Sequence, residues 1–296
     1  LNLTERIREG LLEVASNNLW GAAGNLTAAI AVGLGVFAAK QGWFSPQIWC
    51  LVLAVHGSLV LAKAANTIAL WRSHPVMFPR LGAFRKAVAK HLFSDGLSFS
   101  TSVLLTGLVE YNLCGWMVGR LGGGPGATAL YGVFISLTVM QLGFVIMLST
   151  PTWPAVAEAL ARNDYAWARK AAKRLYLFGS AFALCSATGL ILVGPWALRI
   201  WLGKDFAGIN RTTLACYGLY FIAHVWRHLN HALMIGTGQV SRMAKIQMIE
   251  SALVAGIAYL ALRYGSMELM LLAMASVMLS ITGWMLPRRV AAMLRK

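Results

Sequence analysis

The sequence predicts an all-α polytopic membrane protein with about eight transmembrane helices. Three observations lead there. Hydrophobic residues make up 58% of the 296 positions and charged residues only 12%, too little charge to cover a soluble domain of this length. The apolar residues come in blocks of roughly twenty, the length that a helix needs to cross the hydrocarbon. The 26 Lys and Arg residues fall mostly between those blocks, where the positive-inside rule places them. A membrane-spanning barrel would alternate apolar and polar residues over about ten positions, and no such stretch is visible. The net charge of +16 therefore reads as topology, and nucleic acid is not an expected partner.

No cleavable signal peptide is visible, because the first sixteen residues carry Glu5, Arg6, Arg8, Glu9 and Glu13. Leu1 stands where an initiating Met would, so an N-terminal part is expected to be missing. Spans are predicted near residues 17–39, 47–71, 93–119, 127–149, 175–198, 212–235, 246–263 and 267–286. Two connections are long. In RSHPVMFPRLGAFRKAVAKHL (72–92), Pro75 and Pro79 precede a basic amphipathic stretch, expected to lie in the anionic lipid interface. The same segment joins the first two spans to the last six, as a hinge would. In PTWPAVAEALARNDYAWARKAAKR (151–174), Pro154 suits the first turn of a helix and Asp164 can cap the next. A short helical elbow is expected there.

Lys63 and Arg227 lie inside predicted spans. Six other cations, Lys40, Arg120, Arg199, Lys204, Arg211 and Arg263, follow the odd-numbered spans. The remaining 18 lie at the N-terminus, in the other connections and in the C-terminal tail. Both termini are therefore expected in the cytoplasm. Cys50, Cys114, Cys185 and Cys216 are scattered through apolar segments without CxxC spacing, which suits small buried residues better than a disulfide.

The elbow is the most specific string. A proline-bounded P-x-W-P-A-x-A-E-A, a turn with N-D and a basic helix entering an apolar span resemble the polysaccharide and O-antigen flippase family of the multidrug/oligosaccharidyl-lipid/polysaccharide exporter superfamily. GLVEYNLCGWMVGRLGGGPGATALYGV (107–133) looks like that family's seventh helix, its glycine-rich outer turn and the start of the eighth. WALRIWLGKDF (196–206) is similar to an outer W-x-x-x-W-x-G segment, and HALMIGTGQV (231–240) to the turn after the tenth helix. The resemblance implies helices five to twelve of a two-lobed, twelve-helix flippase. Residues 1–71 would close the N-lobe, 72–92 would connect the lobes, and 93–296 would form the six-helix C-lobe. It also implies a bacterial inner-membrane location and an undecaprenyl-diphosphate type lipid-linked oligosaccharide as substrate. Membrane lipids and the polysaccharide polymerase machinery are the implied partners. Family members carry Asp in the middle of the seventh helix. Here Glu110 stands near that place, so no ion-coupling role is carried over.

Ionisable groups inside a bilayer cost about 2.5–3.5 kcal/mol each on insertion scales and usually face an aqueous interior. Lys63 shares a helix face with His56, Asn66 and Thr67, and Glu110 shares a stripe with Ser102 and Thr106. Arg227 shares a face with His224, His228 and His231 in HVWRHLNHAL. One reading is a cationic cavity in which Arg227 and Lys63 hold a diphosphate, while Tyr131, Gln141 and Trp226 contact sugar. The other reading is structural: Arg227 pairs with an acid such as Glu250, and Lys63 snorkels to the interface. His224 and His228 at i, i+4 also have the spacing of metal ligands, although helix-packing or cavity-lining roles are commoner.

The expected function is export of a lipid-linked oligosaccharide by alternating access. The alternatives are a multidrug or peptidoglycan-precursor transporter of the same superfamily. The basic character of the candidate cavity speaks against cationic drugs. A glycan polymerase, ligase or His-box oxygenase is disfavoured, because the outer loops are short and the sequence holds one HxxxHxxH cluster with no nucleotide-binding loop. Neither catalysis nor a cofactor is expected.

Overall fold

The computed structural model describes residues 2–42, 48–80, 82, 84–122, 124–203 and 209–294. Lys204, Arg295 and Lys296 from the charge count lie outside the described residues, as does the side chain of Ser102. The chain is all-α with a polytopic membrane fold. Helices α1 (Asn2–Gly10), α2 (Val14–Lys40) and α3 (Ile48–Ser73) are followed by a 3₁₀ turn (Pro75–Met77) and α4 (Lys86–Thr106). A π-helical stretch (Gly107–Leu113) then leads straight into α5 (Cys114–Leu121). Next come α6 (Pro125–Ala161), α7 (Tyr165–Leu202), α8 (Arg211–Gly236), α9 (Val240–Tyr264), α10 (Met267–Ser280) and α11 (Thr282–Leu294).

Six helical segments among the described residues are long and apolar enough to cross a membrane by length and composition: Val14–Lys40, Trp49–Ser73, Pro125–Ala161, Tyr165–Leu202, Val240–Tyr264 and Met267–Leu294. The predicted spans at 93–119 and 212–235 are also helical but more polar. They are the segments that carry Glu110 and Arg227, and the polar residues that lower their hydropathy supply most of the buried charge described below.

The connection at 72–92 differs from the expected interfacial helix. Its basic stretch from Lys86 onwards is the first part of α4, which continues through Thr106. The elbow differs too. α6 runs through Pro151 and Pro154 to Ala161, so Pro154 lies inside a helix and does not open one. A proline in a helix deprives a carbonyl one turn earlier of its N–H partner. Spanning helices tolerate this when side-chain hydroxyls and neighbouring helices support the backbone. The Thr152 hydroxyl donates to the Leu148 carbonyl at 2.7 Å, next to the Met147 carbonyl that Pro151 leaves without its N–H partner. Asp164 caps α7 as expected, accepting from the Trp167 N–H at 3.0 Å, and Asn163 takes the positive φ that turns the chain between the helices.

The chain falls into two compact units, Leu1–Arg85 and Lys86–Lys296. In the first, α1 packs on α2 and α3, and the last two approach closely where Gly24 meets Ala62. In the second, α8 is the central helix, packed against α6, α7, α10 and α11. Small residues let it sit close: a Cβ at Gly236 would stand 2.8 Å from the Trp153 carbonyl oxygen. Phe134 of α6 stacks on Tyr217 of α8 with ring centroids 4.6 Å apart.

Candidate functional site

The centre of the second unit holds a charge cluster built from three segments. Arg227, on the buried face of α8, is 3% exposed. Glu110 in the π-helical stretch is 1% exposed, and Glu250 on α9 is fully buried. Arg227 Nη1 donates to Glu110 Oε1 at 2.5 Å and to Glu250 Oε1 at 3.0 Å, while its Nη2 donates to Glu110 Oε2 at 3.1 Å. The guanidinium thus forms a bidentate fork with one carboxylate and reaches a second, the geometry that makes arginine–carboxylate pairs strong.

Polar neighbours complete the cluster. The Tyr220 hydroxyl donates to Glu110 Oε2 at 2.9 Å. His224 Nδ1 lies 3.0 Å from Arg227 Nη2 and 3.2 Å from Glu110 Oε2. Glu250 Oε2 and His231 Nε2 are buried without a hydrogen-bond partner among the described residues. Two carboxyl groups thus face one guanidinium.

The π-helical stretch aims Glu110. The Cys114 N–H bonds to the Val109 carbonyl, one residue further back than in an α-helix. Asn112 Nδ2 donates to the Gly107 carbonyl at 2.9 Å. The Tyr131 hydroxyl, from α6, donates to the Glu110 carbonyl at 2.5 Å. Tyr131 therefore supports the backbone of the cluster. Gln247 of α9 donates to Thr106, the last residue of α4 before the π turn.

The other candidates are placed differently. His228 Nε2 lies 3.0 Å from Ser149 Oγ of α6, a helix-packing contact. Gln141 is half-buried on α6 and makes no hydrogen bond to the cluster among the described residues. Trp226 donates through Nε1 to the Gly283 carbonyl at 2.7 Å. Among the described residues no set of three His, Cys, Asp or Glu side chains is grouped to hold a metal.

Lys63 belongs to the first unit, where it lies 3.1 Å from Glu5. Asn66 accepts from Arg8 Nε at 2.7 Å and donates to Asn17 at 3.3 Å, and Thr67 meets Thr4 at 2.7 Å. Arg8 also pairs with Glu13. The polar face of α3 is thus covered by α1 and the start of α2, while His56 of that predicted face is exposed. Of the cluster residues, Glu250 appears in the sequence reading only as a pairing partner and Tyr220 not at all. Its position seven residues before Arg227 puts it on the same face, which was the available signal.

No protein-family model matches the chain, and no curated protein matches it. Solved structures do. A crystal structure of MATE in complex with MaL6 matches with a TM-score of 0.78 at 13% identity, covering 100% of this chain and 67% of that one. MATE in the straight conformation gives the same values, and MATE in the bent conformation gives 0.73 at 13% identity over 95% of this chain and 62% of that one. The chain thus spans about two thirds of the length of these structures. Its fold is of the MATE type. This corrects the resemblance to the polysaccharide and O-antigen flippase branch. The strings that carried it are a proline-bounded elbow, a glycine-rich turn and apolar helix ends. Those report where helices start and stop, so they reflect the architecture and not the branch.

Proposed function

We propose that this chain works in an alternating-access membrane transporter of the multidrug-exporter type, whose cargo is an organic cation or cationic amphiphile. The observation that carries the reading is the buried cluster of Glu110, Arg227 and Glu250, in which carboxylates outnumber the guanidinium. A diphosphate-bearing lipid needs an uncommitted cation, whereas the Arg227 fork is already engaged by two carboxylates. The Glu250 Oε2 left without a hydrogen-bond partner among the described residues instead offers an acceptor to an approaching positive charge. The basic character read from Arg227 and its histidines is offset once their partners are included. The MATE-type fold supports the same reading. The charge asymmetry of the connections supports a cytoplasmic-membrane location with both termini of this chain in the cytoplasm.

The test is accumulation of a fluorescent organic cation in an efflux-deficient strain expressing the protein. Expression should lower accumulation, and Glu110→Gln should abolish the effect at unchanged membrane abundance. Cation accumulation that is insensitive to the protein, or full export by Glu110→Gln, would refute the proposal.

A further inference from the structure

A second feature of the larger unit lies away from the charge cluster. Where α6 passes Pro151 and α7 leaves its Asp164 cap, the two helices leave a groove of about 310 Å³ between them, lined by Leu148, Pro151, Trp167, Arg174 and Phe178 among others. Leu148, Trp167 and Phe178 are 45%, 45% and 60% exposed. On α7, Trp167, Arg174 and Phe178 stand at i, i+7 and i+11, so they form one stripe along the helix. Lys170 lies one turn before Arg174 on the same side. From Trp167 to Phe178 the stripe runs about 16 Å, close to the depth of one hydrocarbon leaflet at about 15 Å. An aromatic ring therefore stands at the outer end, cations come next, and apolar side chains lie at the inner end.

The charges around the groove are unbalanced. Glu158 pairs with Arg162, and Asp164 is occupied by the α7 cap. Arg169 is also engaged, donating to the Leu294 carbonyl at 3.0 Å. Arg174 and Lys170 have no hydrogen-bond or ion-pair partner among the described residues. An arginine fork beside an apolar channel is complementary to a phosphate attached to a hydrocarbon chain.

We infer that this groove binds an anionic phospholipid of the surrounding leaflet, with its phosphate on Arg174 and Lys170 and one acyl chain along Leu148 and Phe178. The lipid packs beside Pro151, where α6 loses a backbone hydrogen bond, and so braces the α6–α7 elbow. Nothing in this site depends on the cargo of the transporter.

The experiment is native mass spectrometry of the whole protein released from vesicles of phosphatidylglycerol and phosphatidylcholine with matched acyl chains. Phosphatidylglycerol should be retained preferentially. Arg174→Ala with Lys170→Ala should lower its retention about tenfold, while the exposed pair Arg242→Ala with Lys245→Ala leaves it unchanged. Phe178→Ala should weaken retention with both cations intact. Circular dichroism of each variant separates loss of the lipid from loss of the fold. Equal retention of the two lipids would overturn the inference, as would equal losses for the two double variants. Displacement of the lipid by inorganic phosphate alone would also overturn it, by marking the groove as a free-anion site.

Discussion

Tyr131 and Glu110 meet through the backbone: the phenol donates to the Glu110 carbonyl at 2.5 Å, while the Glu110 carboxylate is turned to Arg227. One residue of α6 therefore holds the peptide unit from which the central carboxylate projects. Tyr131→Phe keeps the ring and removes the donor. It leaves a buried carbonyl short of a partner, and thermal unfolding in detergent should report a loss of about 1–3 kcal/mol. An unchanged unfolding temperature would mean that the π turn stands without this support.

Arg227→Ala leaves two buried carboxylates without their counter-charge. The expected cost is about 3–5 kcal/mol, seen as lower membrane abundance and a lower unfolding temperature. Adding Glu110→Gln and Glu250→Gln should restore abundance, though not transport. Arg227→Lys keeps the charge but loses the fork, and should fall between wild type and Ala. Normal abundance of the single Ala variant would contradict the pairing.

Gly236 ends α8 against the elbow. A methyl group there would sit 2.8 Å from the Trp153 carbonyl oxygen, an approach that backbone cannot easily relieve. Gly236→Ala should destabilise by about 1–3 kcal/mol, whereas Gly256→Ala, which meets nothing within 4 Å, should be neutral or slightly stabilising in the same assay.

In the first unit, two neighbouring polar residues should respond differently. Lys63 and Glu5 are each about a third exposed, so Lys63→Ala should cost less than about 1 kcal/mol. Asn66 is buried between Arg8 and Asn17, and Asn66→Ala should cost more, about 1–3 kcal/mol, by stranding the Arg8 side chain. Equal effects would show that burial does not rank the pair.

The orientation can be read with thiol chemistry. With Cys50, Cys114, Cys185 and Cys216 replaced, a reporter at Arg162→Cys should resist an impermeant reagent in intact cells, and one at Gly126→Cys should react. The opposite pattern would invert the topology.

Helical character was legible over all eight apolar blocks, because a run of about twenty apolar residues leaves the chain few alternatives. The continuity of α6 through Pro151 and Pro154 was not. Proline is a local signal for a break, and its tolerance in a spanning helix depends on the helices packed around it. The π turn was hidden for a related reason: in GLVEYNL one added residue per turn leaves the composition unchanged. Pairing of Arg227 with Glu250 could be named in advance, since both are costly to bury alone. The Glu5–Lys63 pair could not, because it rests on α1 folding back along α3 across nearly sixty positions.

The π turn also bears on which changes of length the chain tolerates. The wide turn absorbs one residue beyond the α-helical count, so removing one between Gly107 and Leu113 would let the backbone return to α-helical bonding with the flanking faces still in phase. Cys114, Met117 and Val118, which are buried in the core, would keep their contacts, while Glu110 would lose its aim at Arg227. A single-residue deletion elsewhere in this helix would instead rotate one flank by about 100°. A deletion scan should therefore find near-normal membrane abundance without transport at these seven positions, and loss of abundance at the positions around them.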